Sequence, residues 1–163
     1  MKSLLPAMVG CLLLSACGSN EVLLSKPAAV PAGLNLSGDW VLSATTGFSQ
    51  PRSRDLAVSV FLEMGSSLKV TQTGSGLFFS FDRSVVEEYR FGENREVAVG
   101  AIKAQRASGW EDNAYVIETL DNDGAKLIES WRLQQQGSVL QRSTIIWDHG
   151  DKKLALEQNF DRV

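Results

Sequence analysis

Cysteine is nearly absent from the 163 residues: Cys11 and Cys17 are the two present, and none follows them. A disulfide framework is therefore excluded beyond residue 17, as is any thiolate-based zinc site. Histidine is scarcer still, with His149 alone, so a multi-histidine metal centre lacks its ligands. No Gly-x-Ser-x-Gly nucleophile turn occurs, which removes the common hydrolase arrangement. Charge of one sign is also lacking: 16 Lys and Arg face 19 Asp and Glu, a net of −3. That balance provides no basic surface for nucleic acid. Apolar runs are short, the longest being Leu4 to Leu14, well under the roughly 20 residues needed to cross a bilayer.

What is present begins with Met1-Lys2-Ser3, the short apolar stretch and then Ser15-Ala16-Cys17. One positive charge, an apolar core and small residues before a cut are the parts of a secretory signal. Leu14-Ser15-Ala16-Cys17 resembles the lipobox of bacterial lipoproteins. The resemblance implies a diacylglycerol on the Cys17 thiol, removal of residues 1–16 and acylation of the new amine, with palmitate as a typical chain. It also implies an address. Gly18 is not the aspartate that retains such proteins in the inner membrane, so the outer membrane, facing the periplasm, is expected. Several acyl chains give stable anchoring where one gives only marginal binding.

Residues 17–35 then form the lipidated N-terminus and a tether, rich in Ser, Asn, Pro and Gly. Leu23-Leu24 within it either extends the tether or packs against the domain or a partner. Residues 36–163 have the composition of one globular domain, with Pro51 as their single proline.

The domain is patterned with period two rather than 3.6. Val58-Val60-Leu62-Met64, Leu77-Phe79-Phe81 and Val97-Val99-Ala101 alternate with polar or small residues, which predicts half-buried strands. Further strands are predicted around Trp40, over Val85 to Phe91, Tyr115 to Thr119, Leu127 to Leu133, Val139 to Trp147 and Leu154 to Phe160. A helical reading of Ser84 to Tyr89 is the weaker alternative there. Turn signals at 65–67, 73–76, 121–124, 136–138 and 148–151 suit hairpins. An all-β, antiparallel up-and-down barrel of about eight to nine strands follows, because closure is the simplest way to remove exposed edges.

Gly38-Asp39-Trp40 resembles the Gly-x-Trp opening of lipocalins and related calycin barrels. The resemblance implies that Trp40 plugs the closed end of a lipocalin-like barrel and that Arg162, late in the chain, lies over its ring. Such barrels hold either their own side chains or one small ligand. The candidate ligand-binding residues are Phe79, Phe81, Trp131 and Glu129. Glu129 shares a strand face with Leu127, Trp131 and Leu133, and a buried carboxylate there needs a donor such as Arg132, Arg142 or Arg90. Glu118 alternates with Val116 and Leu120 on its own strand. His149, between Asp148 and Asp151, reads as a solvated acidic turn.

No catalytic residue, metal site or cofactor is expected, and an enzyme is not. The leading expectation is a membrane-anchored periplasmic lipoprotein binding a small hydrophobic or amphipathic ligand. Its alternative is a protein-binding or inhibitory envelope module with a filled core. Replacing Cys17 with serine is expected to abolish incorporation of labelled palmitate. Label retained at the wild-type level in that variant, read by autoradiography, would contradict the anchor.

Overall fold

A computed structural model describes residues 21–163; the signal segment 1–16 and Cys17 lie outside the described residues. Ten strands follow one another: β1 Gly38–Ser49, β2 Ser67–Gln72, β3 Gly76–Phe81, β4 Val85–Arg90, β5 Asn94–Val99, β6 Ile102–Glu111, β7 Ala114–Asp121, β8 Lys126–Gln134, β9 Val139–Asp148 and β10 Asp151–Arg162. They form one curled antiparallel sheet in the order β4-β3-β2-β1-β10-β9-β8-β7-β6-β5. Each strand is a neighbour of the next in sequence, except that β4 and β5 are the two edges and β1 closes onto β10.

The expected eight to nine strands are thus corrected to ten. Two were invisible to the pattern: β2, whose Ser67-Leu68-Lys69-Val70-Thr71-Gln72 is short, and β6, whose Ala104-Gln105-Arg106-Ala107-Ser108-Gly109 lacks an apolar alternation. One expected strand is absent. Over Val58 to Met64 the chain instead makes a 3-10 segment, Ala57–Phe61. The Ser59 hydroxyl lies 2.7 Å from the Leu56 carbonyl and its amide donates to the same carbonyl at 3.0 Å, which holds a tight turn. In that geometry residues three apart eclipse, so Val58 and Phe61 are buried together while Val60 faces out. Residues 85–90, where a helix was the alternative, are strand β4.

The sheet has two rims. The turns at 82–84, 100–101, 122–124 and 149–150, with the 3-10 segment, mark the upper one; those at 73–75, 91–93, 112–113 and 135–138, with the start of β1, mark the lower. Inside the lower half, Trp40, Leu68, Leu77, Phe79, Phe81, Tyr115, Trp131 and Phe160 form one apolar cluster. A second cluster, Val58, Phe61, Val97, Leu127, Ile146 and Leu154, fills the upper half beneath the 3-10 segment.

Trp40 anchors the lower end. Its ring is 1% exposed, and the Arg162 guanidinium carbon lies 4.1 Å from its centroid. Arg162 is fixed by donating to the carbonyls of Gly137 and Ser37, both at 2.9 Å. Gly38 makes room for this: a Cβ there would come within 2.5 Å of the Arg162 guanidinium. The motif's glycine therefore serves the arginine that covers the motif's tryptophan.

Over residues 21–35, composition alone suggested a flexible tether; the structure shows residues 21–27 as an extended strap on the outer face of β6 and β7. Leu23 is buried against Ala107 and Leu120, its amide donates to Gln105 Oε1 at 2.9 Å, and its carbonyl accepts from Asn94 Nδ2 at 2.9 Å. Trp110 donates its amide to the Pro27 carbonyl at 2.8 Å. Lys26 reaches Glu111 at 2.8 Å and Glu118 at 3.1 Å. Burial works against its charge, but hydrogen bonds to both glutamates outweigh that and hold its ammonium above the ordinary lysine value. The groove exists because outward positions on β6 are small: a Cβ on Gly109 would collide with the Pro27 carbonyl.

Truncating Trp40 to alanine is expected to cost about 3–5 kcal/mol, as for other buried aromatics. Arg162→Ala should cost about 1–2 kcal/mol through its ring contact and backbone hydrogen bonds. Urea unfolding of the two variants measures both; equal costs would contradict a plug with a cover.

Candidate functional site

The seam between β4 and β5 begins where the chain turns from one to the other. Glu93 is buried there and held by β6. The Ser108 amide donates to the Glu93 carbonyl at 3.0 Å, and the Ser108 hydroxyl lies 3.2 Å from both the Glu93 carboxylate and the Arg90 carbonyl. Tyr115 donates to the Ser108 hydroxyl at 2.9 Å, with its own hydroxyl held protonated far up the pH scale, chiefly by burial. Arg95 takes the other Glu93 oxygen at 2.9 Å. These bonds put β6, not β5, beside the end of β4. The two edge strands consequently diverge above the turn.

A cavity of about 350 Å³ opens in that divergence, lined by Phe61, Val86, Glu87, Glu88, Arg95, Glu96, Val97, Ala98, Val99 and Arg106. Its size is at the low end of the roughly 300–1,000 Å³ of small-molecule sites. Arg106 projects inward from β6 and is 5% exposed. Its guanidinium carbon lies 4.9 Å from the Tyr89 ring centroid and 5.7 Å from that of Phe61. One terminal nitrogen reaches Glu87 at a long 3.4 Å, while Nε has no hydrogen-bond partner among the described residues. Tyr89 donates to the same Glu87 oxygen at 2.7 Å, and burial first, then the nearby carboxylates, keeps its hydroxyl protonated.

Every charge lining the cavity already has a counter-ion. Glu87 faces Arg106, Glu88 faces Arg90, Glu96 faces Lys103 and Arg95 faces Glu93. What remains without a partner among the described residues is a buried hydrogen-bond donor, Arg106 Nε, beside a cleft lined by both charged and apolar side chains.

The four residues singled out in the sequence lie together in the interior, with Phe79 opposite Glu87 in the β3–β4 ladder and edge-on to Tyr89 at 5.6 Å. Phe79 stacks on Trp131 at 4.7 Å between centroids, with Phe81 6.3 Å from Trp131. Glu129 binds Arg142, whose Nε donates to it at 3.0 Å and whose Nη2 donates to the same oxygen. Arg142 also donates to the Glu63 carbonyl at 2.8 Å and covers the Trp131 and Phe81 rings at 4.9 and 5.4 Å. All are buried, and none lines the seam cavity. Burial, and then repulsion from Glu87, raises the nearby Glu63 carboxyl above its ordinary value.

Glu118 points outward to Lys26, and His149 sits exposed in the β9–β10 turn, 3.7 Å from Asp148. The sequence did not mark Arg106 or Glu87. The one available signal was the inward alternation Ala104-Arg106-Ser108-Trp110, which places an arginine among small and aromatic neighbours.

Glu129→Leu leaves a buried guanidinium without its partner and should cost about 3–5 kcal/mol, whereas Glu129→Leu with Arg142→Leu should recover much of it. A double-mutant cycle in urea reads the coupling, and additive losses would contradict a tight pair.

No protein-family model matches this chain, and no curated protein sequence does. Solved structures do resemble it in fold. The Schistosoma mansoni fatty acid binding protein in complex with arachidonic acid aligns at 13% identity and a TM-score of 0.57, covering 78% of this chain and 96% of that one. Fatty-acid-binding protein 1 of Echinococcus granulosus aligns at 13% identity with a TM-score of 0.56 over the same shares. Zebrafish ileal bile acid-binding protein complexed with cholic acid gives 12% and 0.52, covering 78% and 98%. The ten-stranded curled sheet is of this calycin-like, fatty-acid-binding-protein type.

Proposed function

We propose that the protein is a lipoprotein, acylated at Cys17 and held at the outer membrane facing the periplasm, whose sheet binds one small amphipathic molecule in the β4–β5 seam. The observation that carries the binding is the cavity of about 350 Å³ between two unpaired edges, with the donor Arg106 Nε buried and unpartnered beside Phe61 and Val97. A buried donor without an acceptor costs about 1–3 kcal/mol, so a ligand that supplies the acceptor gains from satisfying it. Two fold neighbours, a fatty acid binding protein in complex with arachidonic acid and a bile acid-binding protein complexed with cholic acid, support the class of ligand.

Pairing of the lining charges narrows that class. A free carboxylate meets no spare cation, and Glu87 competes for the same guanidinium. An uncharged or zwitterionic head with a carbonyl or hydroxyl acceptor fits better, with one alkyl chain along Phe61, Val97 and Val99.

One observation favours the second reading, a partner-binding module with a filled interior: the Phe79, Phe81, Trp131 and Phe160 rings pack closely enough to leave the lower half to side chains. Native mass spectrometry of the protein taken from its host separates the two. The expected result is a bound single-chain amphiphile, and titration should show a monoacylglycerol binding more tightly than the fatty acid of equal chain length. Arg106→Met should weaken that binding at least tenfold, about 1.4 kcal/mol, while Phe79→Leu leaves it within about twofold. No bound molecule, with the same titration curve for the parent and Arg106→Met, would discard the seam site and favour the partner-binding reading.

A further inference from the structure

The strap determines where the chain leaves the domain toward its N-terminus. Glu21 pairs with Lys126, the first residue of β8, beside the 122–124 turn on the upper rim. From that point the chain descends past Gln105 and Ala107 to Gly109 and Trp110, so the segment leading back to Cys17 departs from the upper rim. Cys17 precedes Glu21 by four residues. Covalent geometry limits their separation to about 14 Å whatever the conformation between them, at about 3.5 Å per residue. The headgroup layer takes about 5–7 Å of that reach. Little is left for the domain to stand off or turn over. The lower rim is farther away by the length of a ten-residue strand, about 33 Å.

We infer that the docked strap seats the acylated protein upper rim down on the bilayer, with the lipid surface as the partner of that rim. This inference rests on acylation of Cys17. The rim is suited to such a contact: Phe48 at the end of β1, Val60 on the 3-10 segment and Val99 at the end of β5 are 46%, 40% and 44% exposed. Val99 and Phe61 also line the seam cavity, so the cavity opens at the end that meets the headgroups. An amphiphile then passes between bilayer and seam without crossing open water.

The test uses the full chain, exported and acylated, reconstituted into vesicles of phosphatidylethanolamine and phosphatidylglycerol that carry a lipid with a spin-labelled headgroup. The natural chain has no cysteine after Cys17, so single substitutions take a dye cleanly. Ala101→Cys places it on the upper rim beside the seam, and Ser75→Cys on the lower rim; both positions are exposed. Quenching by the headgroup label is expected to be at least threefold stronger at 101 than at 75. A flexible ten-residue insertion between Asn20 and Glu21, which leaves the folded domain untouched, should bring the ratio toward one. Equal quenching in the parent protein, stronger quenching at 75, or a ratio unchanged by the insertion would overturn the inference. The mass of the N-terminal peptide separates the two failures. Without the acyl mass the anchor itself is refuted, and with it the orientation alone is.

Discussion

The capture of Glu93 by Ser108 decides the architecture. Every other consecutive pair of strands zips into an antiparallel ladder or, for β1 and β2, pairs across the 3-10 segment. β4 and β5 are separated by a turn short enough for a hairpin, yet the Glu93 carbonyl and carboxylate are taken by Ser108 on β6, and Tyr115 holds Ser108 from β7. A buried carboxylate must be paired and hydrogen-bonded, and here the partners on offer are on β6, apart from Arg95. Pairing β4 with β5 would require giving up those bonds. The seam is therefore the lower-energy arrangement of a buried acid, and the cavity above it follows.

An unpaired seam exposes two strand edges, which invites pairing with other chains. Both edges are six residues long and carry charge: Glu87, Glu88 and Arg90 on β4, Arg95 and Glu96 on β5. The interior is layered in the same spirit. Between the lower aromatic cluster and the upper aliphatic one runs a polar belt of Arg142, Glu129, Gln158, Glu87 and Arg106. Arg142 is covered by two rings and paired on its other side, so its charge is compensated inside the sheet. Arg106, over the Tyr89 and Phe61 rings, has only the long contact to Glu87. The two buried arginines thus differ, Arg142 hydrogen-bonded at every guanidinium nitrogen and Arg106 not, and the proposed binding role falls to the second.

Much of this was legible from the chain. Eight of the ten strands were located from the pattern, because Val, Ile, Leu and aromatics on one face signal burial directly. The Glu129 face was correctly read alongside Leu127, Trp131 and Leu133, and its partner Arg142 was among the arginines considered. The Gly38-Asp39-Trp40 segment lies where the first strand begins, with Arg162 over the ring. What escaped has a common cause. β6 buries Arg106 and Ser108 on its inner face and needs Ala107 and Gly109 on its outer face, so neither face is marked by apolar residues. Its pattern serves the seam on one side and the strap on the other, and both are tertiary facts. The 3-10 segment failed for the opposite reason: Val58, Val60 and Leu62 alternate as a strand would, but Ser59 captures the local carbonyls and turns the chain.

Strand β6 thus carries two constraints that meet. Its inner face supplies the buried arginine of the seam, and its outer face receives the strap through Leu23, Lys26 and Pro27. Adding bulk at Gly109 to loosen the strap also strains the segment that carries Ser108 and Trp110, next to the bonds that hold the seam apart. On the proposed acylation of Cys17, a chain that needed only a tether would gain nothing from burying a leucine and a lysine within ten residues of it. Fixing the direction of the proposed anchor does require it, because a rigid attachment at one rim would turn a bond to the membrane into an orientation on it.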